Sequence, residues 1–168
     1  QTANRAQSAL LLQELDSKKS PYSLISLDLD DLKNANDKYG HQAGDSMIVK
    51  LATLLKKVFS ENALVCRMGG DEFLVILMNG QELHTVELLE QFQQNLQEEN
   101  KKSDTLHIHV SYGYALSSEV SGQKADQIYR RADERMYHMK EVYHKIHDRR
   151  RKGIDKEEVL TVQSENSK

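Results

Sequence analysis

Arg67-Met68-Gly69-Gly70-Asp71-Glu72-Phe73 is the stretch on which the reading of this chain turns. The apolar run at 63–66 leads into it and a second at 73–77 leads out, which predicts two strands joined by a Gly-Gly turn. Glycine takes the positive φ values of a two-residue hairpin without steric cost. Two adjacent carboxylates, Asp71 and Glu72, then open a strand that is otherwise wholly apolar. Charge in that position costs desolvation unless something positive meets it, so a bound cation is expected. The competing structural reading is a pair of carboxylates that merely solvates a hairpin tip.

With 168 residues, the chain suits one domain large enough to bury a core. A net charge of −3 gives no general basic character, so neither a nucleic-acid nor a membrane-surface partner is expected. No apolar run approaches the roughly 20 residues that a bilayer requires, and no signal peptide opens the chain. The single cysteine, Cys66, sits inside an apolar strand, which excludes an internal disulfide and fits a reducing compartment. A cytoplasmic location follows, either alone or as the cytoplasmic part of a larger membrane-bound protein. The chain opens on a helix already under way, as a fragment lacking an attached sensory domain would.

Apolar spacing predicts helices at 3–17, 32–39, 45–59, 83–96 and 124–147, with strands at 22–29, 63–66, 73–77 and 106–116. A polar loop is expected at 98–104. Residues 1–148 form the expected domain, and 149–168 a polar, flexible C-terminal tail. The order implies an α+β fold, with helices packed on a mainly antiparallel central sheet. Strand 22–29 would neighbour the hairpin and bring Asp28 beside Asp71 and Glu72. Three carboxylates at one sheet end cannot all ionise cheaply without a metal. His107 and His109, two apart on one strand, show no convergent metal-binding partner, and neither do His138, His144 and His147. Tyr129, Tyr137 and Tyr143 read as packing residues.

Residues 28–45 read DLDDLKNANDKYGHQAGD. Asp28, Asp30, Lys33, Asn36, Asp37, Gly40, His41, Gly44 and Asp45 resemble the first signature of the GGDEF family of diguanylate cyclases, with Leu32 where phenylalanine is usual. RMGGDEF follows at the family's interval. The segments at 111–115 and 132–140 are similar to its later signatures. The resemblance spans about residues 20–145 and implies a palm-like nucleotidyl-cyclase architecture with a ferredoxin-like core.

It further implies condensation of two GTP into cyclic di-GMP with release of two pyrophosphates. That chemistry needs positioning and charge neutralisation more than covalent participation. On these terms Asp28, the Leu29 carbonyl, Asp71 and Glu72 would hold magnesium or manganese, and Asp71 and Glu72 are the candidate catalytic pair. Asn36 and Asp45 would read guanine with His41 close by. Backbone N–H groups of Asp31 and Leu32 would cradle the terminal phosphates, helped by Lys33 and Lys140. The partner is a second GGDEF domain in a two-fold homodimer.

Two departures stand out. The family's Arg-x-x-Asp product site falls on Ser60 and Ala63, so feedback inhibition through it is not expected. The usual Gly-Arg-Asn after the last lysine falls on Tyr143-His144-Lys145, which loses a phosphate-binding arginine. A catalytically impaired domain that binds GTP or another guanine nucleotide as a regulatory module is therefore the alternative. A nucleotidyl cyclase or polymerase palm of another type shares the paired-carboxylate chemistry, but Asn36 and Asp45 favour guanine.

Overall fold

The computed structural model describes residues 2–103, 106–122 and 124–151. Of the tail expected at 149–168, residues 149–151 instead continue the last helix, and 152–168 lie outside the described residues. The elements run α1 (Arg5–Lys18), β1 (Tyr22–Leu29), α2 (Leu32–Tyr39), α3 (His41–Val58), β2 (Ala63–Gly69), β3 (Glu72–Met78), α4 (Glu82–Lys101), β4 (Val110–Leu116), a single 3₁₀ turn and α5 (Ala125–Arg151). The four strands form one antiparallel sheet in the order β2-β3-β1-β4. Leaving aside α1 and α5, this is the split β-α-β arrangement of a ferredoxin-like core.

β1 is central and buried along its whole length, which explains why its sequence does not alternate cleanly. Ile25, Leu27 and Leu29 face a core built with α3 and α4, including Leu51, Leu55, Leu89 and Phe92. Tyr22 and Leu24 face a second core with α1 and α5, including Leu15, Ile128 and Ala132. By parity Ser26 and Asp28 also lie on the α5 face. Ser26 donates to Asp133 of α5 over 3.2 Å. Cys66 is buried in this second core, and burial pushes its thiol up to about 11, so it behaves as a small hydrophobe.

Several boundaries differ from the sequence expectations. The turn between β2 and β3 is Gly70-Asp71, because Gly69 pairs with Glu72 after a bulge at Met68. Of the two glycines only Gly70 takes positive φ, at 49°. α3 begins at His41 rather than 45, since Gly40 at φ 85° ends α2 and launches the next helix at once. Asp45 is therefore interior to α3. α4 continues to Lys101 and takes in part of the expected loop; Asn100 there exchanges two 2.7 Å hydrogen bonds with the Ile108 backbone. β4 starts only at Val110, the partner of Leu29, because β1 ends there and offers no further edge. At the other margin Ala3 pairs with Cys66 and covers the β2 edge.

Candidate active site

Strand register assembles the site. Asp28 lies directly opposite Glu72 of β3 on one side and Ser111 of β4 on the other. The Leu29 N–H donates to the Asp71 carbonyl over 3.1 Å, tying the end of β1 to the hairpin turn. Asp28 is only 5% exposed. From α5, Lys140 Nζ donates to Asp28 Oδ1 over 2.7 Å.

Burial pushes the Asp28 carboxyl above its ordinary value; Lys140 opposes this, and the nearby charges of Asp71 and Asp30 add to it. Burial pulls the Lys140 ammonium down, but Asp28, with Asp71 and Asp30 behind it, outweighs that and leaves its pKa raised. Asp28 and the neighbouring Asp71 and Glu72 share one nearby ammonium, so further positive charge at this sheet end would be stabilising. Among the described residues no three His, Cys, Asp or Glu side chains gather closely enough to cage an ion alone. Of the three carboxylates at this sheet end, Asp28 is buried, Asp71 half-buried and Glu72 exposed at the rim, opposite Asp28 in the strand register. A small carboxylate set with a backbone carbonyl fits magnesium, which takes one or two carboxylates and completes its shell with water and substrate phosphates.

Next to this cluster the chain leaves β1 and enters α2. Asp31 sits at φ 59°, ψ 18°, a left-handed conformation that aims the opening turn of the helix. Its side chain accepts from Asn34 Nδ2 at 2.6 Å and from the Tyr143 hydroxyl at 3.0 Å. Leu32 begins the helix, and Lys33 is exposed on it. Asn36 lies on α2 against Gly44 of α3; its Oδ1 is buried and has no hydrogen-bond partner among the described residues. His41 and Asp45 are exposed on the first turns of α3.

Sequence reasoning missed two residues. Spacing alone offers His109 only as a metal ligand and Tyr143 as a packing residue. In the fold His109 Nδ1 lies 2.7 Å from Asp30 Oδ2, which also accepts from Ser111 at 2.8 Å. The His109 ring stacks on Tyr143 with centroids 3.8 Å apart. The available signal was that Tyr143 stands where the family usually has glycine.

The family model for the diguanylate cyclase GGDEF domain matches residues 3–145. The chain belongs to the GGDEF diguanylate cyclase family. A diguanylate cyclase from Vibrio cholerae serotype O1 is 34% identical over 122 residues, covering 73% of this chain and 38% of that protein. The structure of the active GGEEF domain of a diguanylate cyclase from Vibrio cholerae aligns with TM-score 0.73 and 29% identity, covering 84% of this chain and 93% of the other. The GGDEF domain of DgcB from Caulobacter crescentus, solved in complex with c-di-GMP, aligns with TM-score 0.72 and 27% identity, covering 84% and 86%. The chain spans about two fifths or less of the length of the curated relatives it matches. No helix among the described residues is long and apolar enough to cross a membrane.

Proposed function

We propose that this GGDEF domain condenses two GTP molecules into cyclic di-GMP, releasing two pyrophosphates, as one half of a two-fold homodimer. The observation that carries the reading is the sheet register, which sets Asp28 opposite Glu72 and ties Leu29 to the Asp71 carbonyl over 3.1 Å, with Lys140 2.7 Å from Asp28. Asp28, Asp71, the Leu29 carbonyl and Glu72 would hold magnesium, or manganese, which when bound supplies charge neutralisation at the phosphate oxygens. Asp71 is the candidate acceptor of the proton from an attacking 3′-hydroxyl. The Asp31 and Leu32 N–H groups would bind terminal phosphates at the start of α2, with Lys33 at its surface and Lys140 reaching over from α5. Asn36 offers a buried acceptor in need of a donor, and Asp45 offers acceptors only, which suits the N1–H and 2-amino edge of guanine. His41 stands beside them at the start of α3.

One domain presents one set of these groups, so two copies must face each other for reciprocal attack. The chain held as a dimer, given GTP and magnesium, should form cyclic di-GMP, and Asp71→Ala should abolish product with an unchanged circular dichroism spectrum. Full turnover by that variant would rule out the assigned role. A regulatory module that binds guanine nucleotide without turnover is the second reading; it is favoured by His144 in place of the phosphate-binding arginine. GTP binding without product in the dimerised chain would decide for it.

A further inference from the structure

Consecutive residues at the end of β1 each hold one end of a stacked pair of rings. Asp30 is 1% exposed, and its Oδ2 lies 2.7 Å from His109 Nδ1. The His109 ring lies nearly parallel to Tyr143 of α5, at 19° and 3.8 Å between centroids. The Tyr143 hydroxyl returns to Asp31 Oδ2 over 3.0 Å. The path from Asp30 through His109 and Tyr143 to Asp31 closes through the peptide bond between the two aspartates. Backbone contact reinforces it, since the Asp30 N–H donates to the His109 carbonyl over 3.0 Å.

One member of this closed loop, Asp31, has positive φ, as do Lys19, Asn62 and Asn79 among the described non-glycine residues. A non-glycine residue in the left-handed region is disfavoured and persists where its surroundings hold it there. Asp31 is such a residue, and its conformation sets the direction in which the first N–H groups of α2 point. The loop also joins this turn to the helix that carries Lys140, three residues before Tyr143.

We infer that Tyr143 and His109 are positioning residues that lock the Asp31 turn to α5, fixing the α2 opening in the geometry that receives the terminal phosphates of a nucleoside triphosphate. The inference rests on the nucleotide-binding reading above. Neither ring touches the reacting atoms; each acts through an aspartate. The Tyr143 hydroxyl contributes the link to Asp31, and the stack contributes alignment of α5 over that turn.

The test uses a GTP analogue with a methylene bridge between the α and β phosphorus, titrated with magnesium into the chain by calorimetry, together with steady-state turnover of GTP. Tyr143→Phe keeps the stack and removes the hydroxyl. It should weaken analogue binding and raise KM by roughly three- to tenfold, the effect of one lost hydrogen bond, with kcat and melting temperature unchanged. His109→Ala should weaken binding at least as much, and the double variant should be no worse than His109→Ala alone, because both break the same loop. Should His109→Ala fail to fold, His109→Asn, which retains a donor for Asp30 but no ring, replaces it. Unchanged analogue binding by Tyr143→Phe, or losses that simply add, would overturn the inference while leaving the nucleotide site intact. Absence of analogue binding by the wild-type chain would instead bring down the proposed function and this inference with it.

Discussion

Gly44 lacks a side chain because Asn36 stands where one would be. A Cβ there would meet Asn36 Oδ1 at 2.1 Å and Cγ at 2.8 Å. Gly44→Ala therefore drives the Asn36 amide out of place. The substitution also gains about 1 kcal/mol of helix propensity within α3, which offsets much of the local strain. Stability should hardly move, whereas the KM for GTP should rise roughly tenfold if Asn36 reads the base as proposed. Parallel melting and kinetic measurements check this, and an unchanged KM would remove Asn36 from the guanine site. At this scale chemistry and spacing single out Asp28, Asn36 and Asp71 as candidates, and the expected placement of Asp28 beside the hairpin is what the register shows. The sequence was opaque at His109, whose partner Asp30 lies 79 residues away in the chain.

Between elements, α5 crosses the sheet closely enough to touch backbone. A Cβ on Gly113 of β4 would lie 2.3 Å from both the Ala132 carbonyl oxygen and the Met136 nitrogen, and these helix atoms cannot rotate away as a side chain can. Gly113→Ala should cost about 1–3 kcal/mol by overpacking, read as a lower denaturant midpoint. A wild-type midpoint would mean that α5 sits higher on the sheet than described. At the other end of the molecule Ser60 is exposed after α3 and Ala63 opens β2, so neither supplies a guanidinium or a carboxylate. Cyclic di-GMP added to turnover assays should accordingly not inhibit through residues 60–63; strong inhibition lost on substituting them would contradict this. Element types followed from periodicity, but their ends did not. β4 begins where β1 stops offering a partner, and α4 ends beyond its last apolar residue because Asn100 holds Ile108.

For the whole molecule, alkaline pH should be the weak side. Burial pushes the Tyr22 phenol well above its ordinary 10.0, and the hydrogen bond it donates to Asp16 adds to the effect. Lys140 is raised above its ordinary 10.5 by Asp28, which outweighs its own burial. Both groups hold their proton more tightly folded than unfolded. Their contribution is present below the ordinary values and is lost as pH climbs through the folded ones. Urea midpoints at about pH 8 and about pH 11 should show the loss, and Tyr22→Phe should flatten the difference. A flat wild-type profile would refute the assignment. On the proposed two-fold reaction, fusing the chain to a dimerising coiled coil should raise turnover over that of the unfused chain.

The sequence by itself determined the residue chemistry and the order of helices and strands, because periodicity and motif spacing are local properties of the chain. From these came the family, the α+β class and the candidate ligands. Only the tertiary structure decided what pairs with what. It set the turn at Gly70-Asp71, the hold of Lys140 on Asp28, and the loop from Asp30 through His109 and Tyr143 to Asp31. Each of these joins groups from separate elements, and their distances are fixed only when sheet register and helix packing are satisfied together.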